Sequence, residues 1–354
     1  MLDFWGNEDL IKNINLDLKN NKVPHCQLID DHNGNGGLLL GLKIAERLLG
    51  KSPFNHPDFN LYFPLEKDDL SDNSIEKFKT LFEKINYCKL ADWKVFLNSN
   101  TQLQIKVKDI TSLHEKILLK AFEGKNKVFI IWGPELLNNV ASHKLLKILE
   151  EPPSKTYFLL VSEKISEILP TILSRARNLT LGQFSFTEIK NKLLQMKVDS
   201  ASEIAKSAGG SWRKALYLSE NSNKIKELES MWLYALRSAL KSVGNKKIIV
   251  ELMNWADKIS SLTRDEQKKF LEFGSNLIRS ALLINYNAQK ASNYYSLNNF
   301  EIEKLSPFIH SKNILEITEL INNTFYEISR NANSKILFSN FILKITKYLN
   351  QKEI

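Results

Sequence analysis

Cysteine is almost missing from this chain. Its 354 residues include two, Cys26 and Cys88, far apart and without a Cys-x-x-Cys partner. That excludes a four-cysteine zinc site and a disulfide framework. The expectation is two reduced thiols and no zinc. Long apolar runs are missing as well, and nothing approaches the ~18 uninterrupted apolar residues of a membrane helix. The opening Met1-Leu2-Asp3-Phe4-Trp5-Gly6 has no basic region followed by an apolar segment, so no signal peptide is expected. No internal repeat and no low-complexity tract is found. Together these absences predict a cytoplasmic protein with no membrane segment.

What is present suits a globular protein of two or three domains, since 354 residues exceed one compact core. The hydrophobic fraction of 43% and charged fraction of 25% are ordinary for such a chain. The formal net charge is +9. A basic balance can serve nucleic acid, but the lysines are scattered and mostly alternate with acidic residues. Charge alone is therefore a weak footprint.

Periodicity separates two halves. Cys26–Ile29, Phe59–Phe63, Lys127–Ile131 and Tyr157–Val161 read as strands. The last two are continuous apolar runs, as central strands of a parallel sheet covered on both faces should be. Helices are predicted at Leu10–Leu18, at Leu38–Leu49 ending on Gly50, from a capping Ser74 to Ile85, and at Asp109–Phe122. Asp68–Ser74 reads as a polar loop, and Gly124-Lys125-Asn126 as a turn. Between the two apolar runs a helix carries Val140, Leu145, Leu146, Ile148 and Leu149, and Pro152-Pro153 stops it. Beyond about Asn178 no strand is expected. Helices at Thr187–Lys197, Ala201–Ala208 and from Ser211 are followed by long amphipathic ones. Their apolar faces include Met231, Trp232, Leu236; Leu252, Trp255; Phe270, Leu277; Ile317, Leu320; and Ile336, Leu337, Ile342.

The loop after the first strand reads Asp31-His32-Asn33-Gly34-Asn35-Gly36-Gly37-Leu38. A phosphate-binding loop needs Gly-x-x-x-x-Gly-Lys-Ser/Thr: glycines to turn amides inward, a lysine for charge, and a hydroxyl for Mg²⁺. Here Gly36 remains, Gly37 stands at the lysine position and Leu38 at the hydroxyl position. Asp30 and Asp31 add carboxylates beside a would-be polyphosphate. On its own the segment reads better as a turn in an unrelated α/β protein.

Two further segments favour the relic. Ala141–Pro153, with Leu145-Leu146-Lys147-Ile148-Leu149-Glu150-Glu151-Pro152-Pro153, and Leu169-Pro170-Thr171-Ile172-Leu173-Ser174-Arg175 resemble the AAA+ clamp-loader family of the bacterial replicative polymerase. Phe4–Glu8, Val23-Pro24-His25 and His56-Pro57-Asp58 resemble it more loosely. The resemblance implies an α/β domain with an AAA+-type P-loop parallel sheet at 1–181, a small helical lid at 182–221 and an all-α collar at 222–354. In the family pattern the strand at Lys127–Ile131 ends in an Asp-Glu pair for Mg²⁺ and water. Trp132 and Gly133 stand there instead and can do neither. A non-ATPase member is thus implied, with no ATP in cis, and the family's four-cysteine zinc module is absent.

The family triplet Ser-Arg-Cys is Ser174-Arg175-Ala176 here. The resemblance implies that Ser174 and Arg175 lie at a subunit interface. It also implies that Arg175 reaches the γ-phosphate held by a neighbouring ATPase subunit, a role suited to an always-charged guanidinium. Arg177 is a nearby second candidate. A surface arginine paired with a carboxylate is the plain alternative. Gly210–Leu216 resembles a second-domain motif whose arginine, Arg213, would here be structural. Glu150-Glu151 reads as a helix end and interface feature, and His25, His56 and His114 as structural.

The implied function is that of a stator in a hetero-oligomeric loader, without enzyme activity of its own. It would work with ATPase subunits and a clamp-opening subunit to place a sliding clamp on primed DNA. Two other readings stand beside it. One is an active ATPase paralogue, which Gly37, Leu38, Trp132 and Gly133 all oppose. The other is a basic DNA-binding protein with a relic P-loop domain, which would need a clustered Lys/Arg face.

Overall fold

The computed structural model describes residues 4–66, 69–99, 101–123, 126–242, 245–288, 292, 294, 296–298 and 300–351. Five parallel strands form one sheet: β1 (Cys26–Asp30), β2 (Phe59–Tyr62), β3 (Lys127–Trp132), β4 (Thr156–Ser162) and β5 (Arg177–Thr180), in the order β2-β3-β4-β1-β5. A parallel sheet was expected from the apolar runs at Lys127–Ile131 and Tyr157–Val161. β1, β3 and β4 are buried nearly throughout, which is why β3 and β4 read as continuous apolar runs. β5 was not expected. It is a short edge strand whose only buried residue is Leu179, so its sequence carries no apolar alternation to read.

Helices cover both faces. α1 (Glu8–Lys19) and α2 (Gly37–Leu49) flank β1 in sequence. α2 packs on the sheet with Gly41 facing it at ordinary contact distance. A Cβ there would sit 3.4–3.6 Å from Val161, Ile29 and Ile130. On the other face α5 (Val107–Leu118), α6 (Asn139–Glu150) and α7 (Pro170–Leu173) pack Ile110, Leu113, Leu145, Leu149 and Ile172 against Leu28, Phe129, Ile131, Phe158 and Leu160. Val140, placed on the apolar face by its spacing, is exposed.

The segment between β2 and β3 departs most from expectation. α3 (Ser71–Lys84) starts three residues before Ser74, which lies buried inside it and does not cap it. Ser71 anchors the start: its hydroxyl donates to the Phe63 carbonyl (3.2 Å) and its N–H donates to Asp109 (3.0 Å). The expected loop therefore ends early, while its first residue, Asp68, and the turn at Gly124-Lys125 lie outside the described residues. α4 (Leu90–Phe96) was not expected. It is held by Trp93, fully buried, whose indole N–H donates to the Pro64 carbonyl at 2.7 Å.

The chain divides into two compact units, Met1–Ser185 with Gly210–Lys214, and Phe186–Gly209 with Ala215–Ile354. Residues 182–221 are thus shared between them, and their helices are α8 (Phe186–Gln195), α9 (Ala201–Ala208) and α10 (Trp212–Glu220). Gly210–Lys214 goes with the first unit because its backbone bonds to the loop after β1, as described below.

In the second unit α11 (Ser222–Lys241), α12 (Lys246–Ser260), α13 (Arg264–Asn285), α14 (Ile314–Ser329) and α15 (Ser334–Leu349) share one apolar core. Trp232 stacks on Phe270 at 4.8 Å, and its indole N–H donates to the Phe270 carbonyl at 2.8 Å. Ile336 is the exception to the predicted faces and is exposed. Glu229 is buried and accepts N–H bonds from Leu297 and Asn298 and the hydroxyl of Tyr294.

Gly274 of α13 faces Trp232: a Cβ there would lie 1.9 Å from the indole ring. Alanine ordinarily stabilises a helix interior by up to about 1 kcal/mol over glycine. Here overpacking should outweigh that, and Gly274→Ala should destabilise the second unit by roughly 1–3 kcal/mol. Denaturant unfolding followed by tryptophan fluorescence measures it; unchanged stability would show that the indole moves aside freely.

Candidate functional site

β1 ends on Asp30, and the chain turns through a loop into α2. Gly34 (φ 73°) and Gly36 (φ 96°) are in the left-handed region, where a side chain is strained. This geometry turns backbone amides towards one point, the arrangement that cradles a phosphate. The point is occupied. Asp31 is 5% exposed and its carboxylate accepts the N–H of Asn35 at 2.5 Å and of Gly37 at 2.7 Å. Asp31 was expected beside the phosphate position; it lies within the loop, on the loop's own amides. A Cβ at Gly37 would lie 2.6 Å from the Cβ of Asp31, so a side chain at 37 and the inward Asp31 exclude one another. Leu38 is buried apolar filling.

The loop is also covered. Asn35, fully buried, donates its amide to the carbonyls of Gly182 (2.9 Å) and Gly210 (3.1 Å) and accepts the N–H of Trp212 (2.9 Å). Ser211 donates to the Asn33 carbonyl, and the Arg213 N–H donates to that of Gly34 at 3.1 Å. The Arg213 guanidinium forks onto Asp92 of α4 at 2.8 and 2.6 Å. The pair is mostly buried, with side chains 8% and 18% exposed. Tyr87 and Phe4 press on Gly36, and Trp5 packs on Phe184 and Trp212.

The strand ends beside the loop hold further charge. The Trp132 indole is buried edge-on to Phe78 at 5.7 Å, so it is part of an aromatic core. Gly133 (φ 80°) is covered by Leu90. Just past β4, Glu163 accepts the Leu90 N–H at 2.6 Å, lies 3.5 Å from the Lys89 ammonium, and donates its own N–H to Glu135 at 2.9 Å. Lys89 also donates to the His32 carbonyl at 3.2 Å. Burial pushes the Asp31 acid up to about 6, against the bonds from Gly37 and Asn35 and the charge of Lys89. Burial pushes Glu163 up to about 7, against Lys89 and the Leu90 N–H. Glu135 is raised by burial too.

Lys89, Asp92, Glu135 and Glu163 were not picked out by sequence reading. Asp92 had a legible signal, an aspartate at the third helical position whose carboxylate caps the Lys89 N–H at 2.8 Å. Glu163 had none, because its role depends on two strands and α4 meeting.

Arg175 follows α7 and is not brought to this loop. Its guanidinium donates to Glu150 of α6 at 2.8 Å, to the Thr171 carbonyl at 2.9 Å and to the Ser174 hydroxyl at 3.4 Å. About a third of its side chain (35%) and 44% of that of Glu150 remain exposed. Arg177, on β5, pairs with Asp17 of α1. Cys26 and Cys88 are both buried free thiols, and no helix among the described residues is long and apolar enough to cross a membrane.

A family model described as DNA polymerase III, delta subunit, matches residues 6–185. The DNA polymerase III subunit delta' of Yersinia pestis is 30% identical over 203 residues, 54% of this chain and 55% of that protein. That of Buchnera aphidicola subsp. Baizongia pistaciae is 36% identical over 89 residues, 24% of this chain and 26% of that protein. The aligned part thus spans between about a quarter and about half of these relatives' lengths. A crystal structure of a DNA polymerase III gamma subunit-related protein from Thermotoga maritima covers 95% of this chain and 99% of its own, with 15% identity and a TM-score of 0.45.

The raised acids make stability depend on pH. Asp31 and Glu163 bind protons more tightly folded than unfolded, where 3.8 and 4.5 are ordinary. Their contribution is complete below those ordinary values and is lost as pH rises through about 6 and about 7. The thermal midpoint of the first unit should therefore fall between pH 5 and pH 8, and Glu163→Gln should flatten the upper part of that fall. Calorimetry across this range checks it, and a midpoint that climbs with pH in both proteins would contradict it.

Proposed function

We propose that this chain, which belongs to the DNA polymerase III delta-subunit family, is a non-catalytic subunit of the loader that places a sliding clamp on primed DNA. The observation that carries the reading is the Asp31 carboxylate on the amides of Asn35 and Gly37. A nucleotide's phosphates would meet an anion where they need donors, with Gly37 in place of a lysine and Trp132 and Gly133 in place of two acids. No nucleotide is bound in cis on this reading, no zinc is held, and hydrolysis belongs to neighbouring subunits.

Arg175 is then the residue that takes part in that hydrolysis from outside. Its exposed pair with Glu150 is worth at most about 1 kcal/mol. A guanidinium so weakly held can exchange a carboxylate for the γ-phosphate of ATP on an adjacent subunit, its planar set of donors suiting either anion. Ser174 would lie in that interface with it. The helices of the second unit would form the collar through which the hetero-oligomer holds together, and the chain would act as a fixed stator in the cytoplasm. Partners on this reading are the ATPase subunits and the clamp-opening subunit, with clamp and primed DNA met through the assembly.

The test is DNA- and clamp-stimulated ATP hydrolysis by the loader reconstituted with the native chain or with Arg175→Ala. Arginine fingers contribute roughly 10³–10⁵ in rate in related systems, and a loss of at least about tenfold is expected here with assembly intact. An intact complex with unchanged turnover would reduce Arg175 to its pairing with Glu150. A native chain that joins no complex would remove the loader reading.

A further inference from the structure

The loop after β1 keeps the shape of an anion cradle although the residues that fit it for nucleotide are gone. Something must hold amides in that convergent arrangement, because buried N–H groups without acceptors are costly, roughly 1–3 kcal/mol each. Water or a bound phosphate does this in an open loop. Here Asp31 does, with both carboxylate oxygens engaged at 2.5 and 2.7 Å and the side chain almost wholly buried.

The consequences extend past the two amides. Asn35, whose N–H is fixed by Asp31, is the residue that ties Gly182, Gly210 and Trp212 to the loop. Arg213, whose N–H bonds to Gly34, reaches across to Asp92, and Lys89 at the start of α4 reaches the His32 carbonyl. Three segments distant in sequence therefore meet on one loop, and the loop's conformation rests on the Asp31 carboxylate. The Lys89 ammonium supplies positive charge nearby, close enough to favour the ionised form of Asp31.

We propose that Asp31 is a built-in anion standing in the place of a bound phosphate group, so that the loop and the segments tied to it hold their arrangement with no ligand. The cradle beneath is intact and takes a phosphate-class anion once the carboxylate is removed. Asp31 is thus the residue that sets the loop's ligand specificity, from a phosphate to the chain itself. This inference is independent of any role of Arg175.

Inorganic pyrophosphate, at ionic strength matched with sodium chloride, is the probe. The full chain and its Asp31→Ala form are compared by amide hydrogen exchange over 31–40 and by thermal midpoint. In the native chain the amides of Asn35 and Gly37 should exchange slowly, and pyrophosphate should change neither readout. In Asp31→Ala those amides should exchange at least tenfold faster. Pyrophosphate should slow them again and raise the midpoint by about 2–4 °C as it approaches saturation. A native chain that responds to pyrophosphate as the variant does would overturn the proposal, and so would a folded variant that gains no response. Should Asp31→Ala fail to fold, Asp31→Ser takes its place. The native exchange is itself decisive: Asn35 and Gly37 amides exchanging as fast as open loop amides would show that Asp31 does not hold them.

Discussion

Two short hydrogen bonds from the amides of Asn35 and Gly37 to the Asp31 carboxylate fix the conformation on which the first unit's site depends. Those bonds keep the loop convergent, the loop positions Asn35, and Asn35 gathers Gly182, Gly210 and Trp212. A buried anion of this kind is tolerable only where donors and a cation offset its desolvation. The site supplies both, in the loop amides and in Lys89. The offset is incomplete, which is why the acid stays above its ordinary range; Glu163 and Glu135 nearby are raised by their own burial.

The parallel sheet was legible because burial on both faces makes β3 and β4 continuous apolar runs, and the helices of the second unit because their apolar residues recur at helical spacing. β5 was not, since an edge strand with one buried residue, Leu179, has no pattern to display. α4 was not, because seven residues with a single large buried side chain, Trp93, fall below the length at which periodicity speaks. The losses at Gly37, Leu38, Trp132 and Gly133 could be read position by position against a motif. Where the Asp31 side chain goes could not, because the choice between solvent and the loop amides is made by Asn35, Lys89 and the packing of Tyr87 on Gly36. The network of Lys89, Asp92, Arg213 and Glu163 joins α4, the end of β4 and the segment after Gly209, and no local pattern links residues so far apart.

Arg175 and Arg213, two of the three arginines singled out from sequence, meet different surroundings. Arg213 sits in a mostly buried fork with Asp92, where removing either partner strands a charge and costs about 3–5 kcal/mol. Arg175 makes a single bond to Glu150 in an exposed pair, which contributes at most about 1 kcal/mol. Burial thus separates an arginine that fastens the fold from one whose ion pair stays in contact with solvent.

The contact between Asp31 and Gly37 also bears on the history open to this loop. A lysine at position 37 collides with the inward aspartate while Asp31 is present. Loss of Asp31 alone leaves two amides without their acceptor and still supplies no lysine. Neither single step towards a nucleotide-binding loop is free of cost, and each becomes acceptable only after the other. The pair therefore acts as a ratchet, in which the sign of one substitution's effect depends on the residue already standing at the second position.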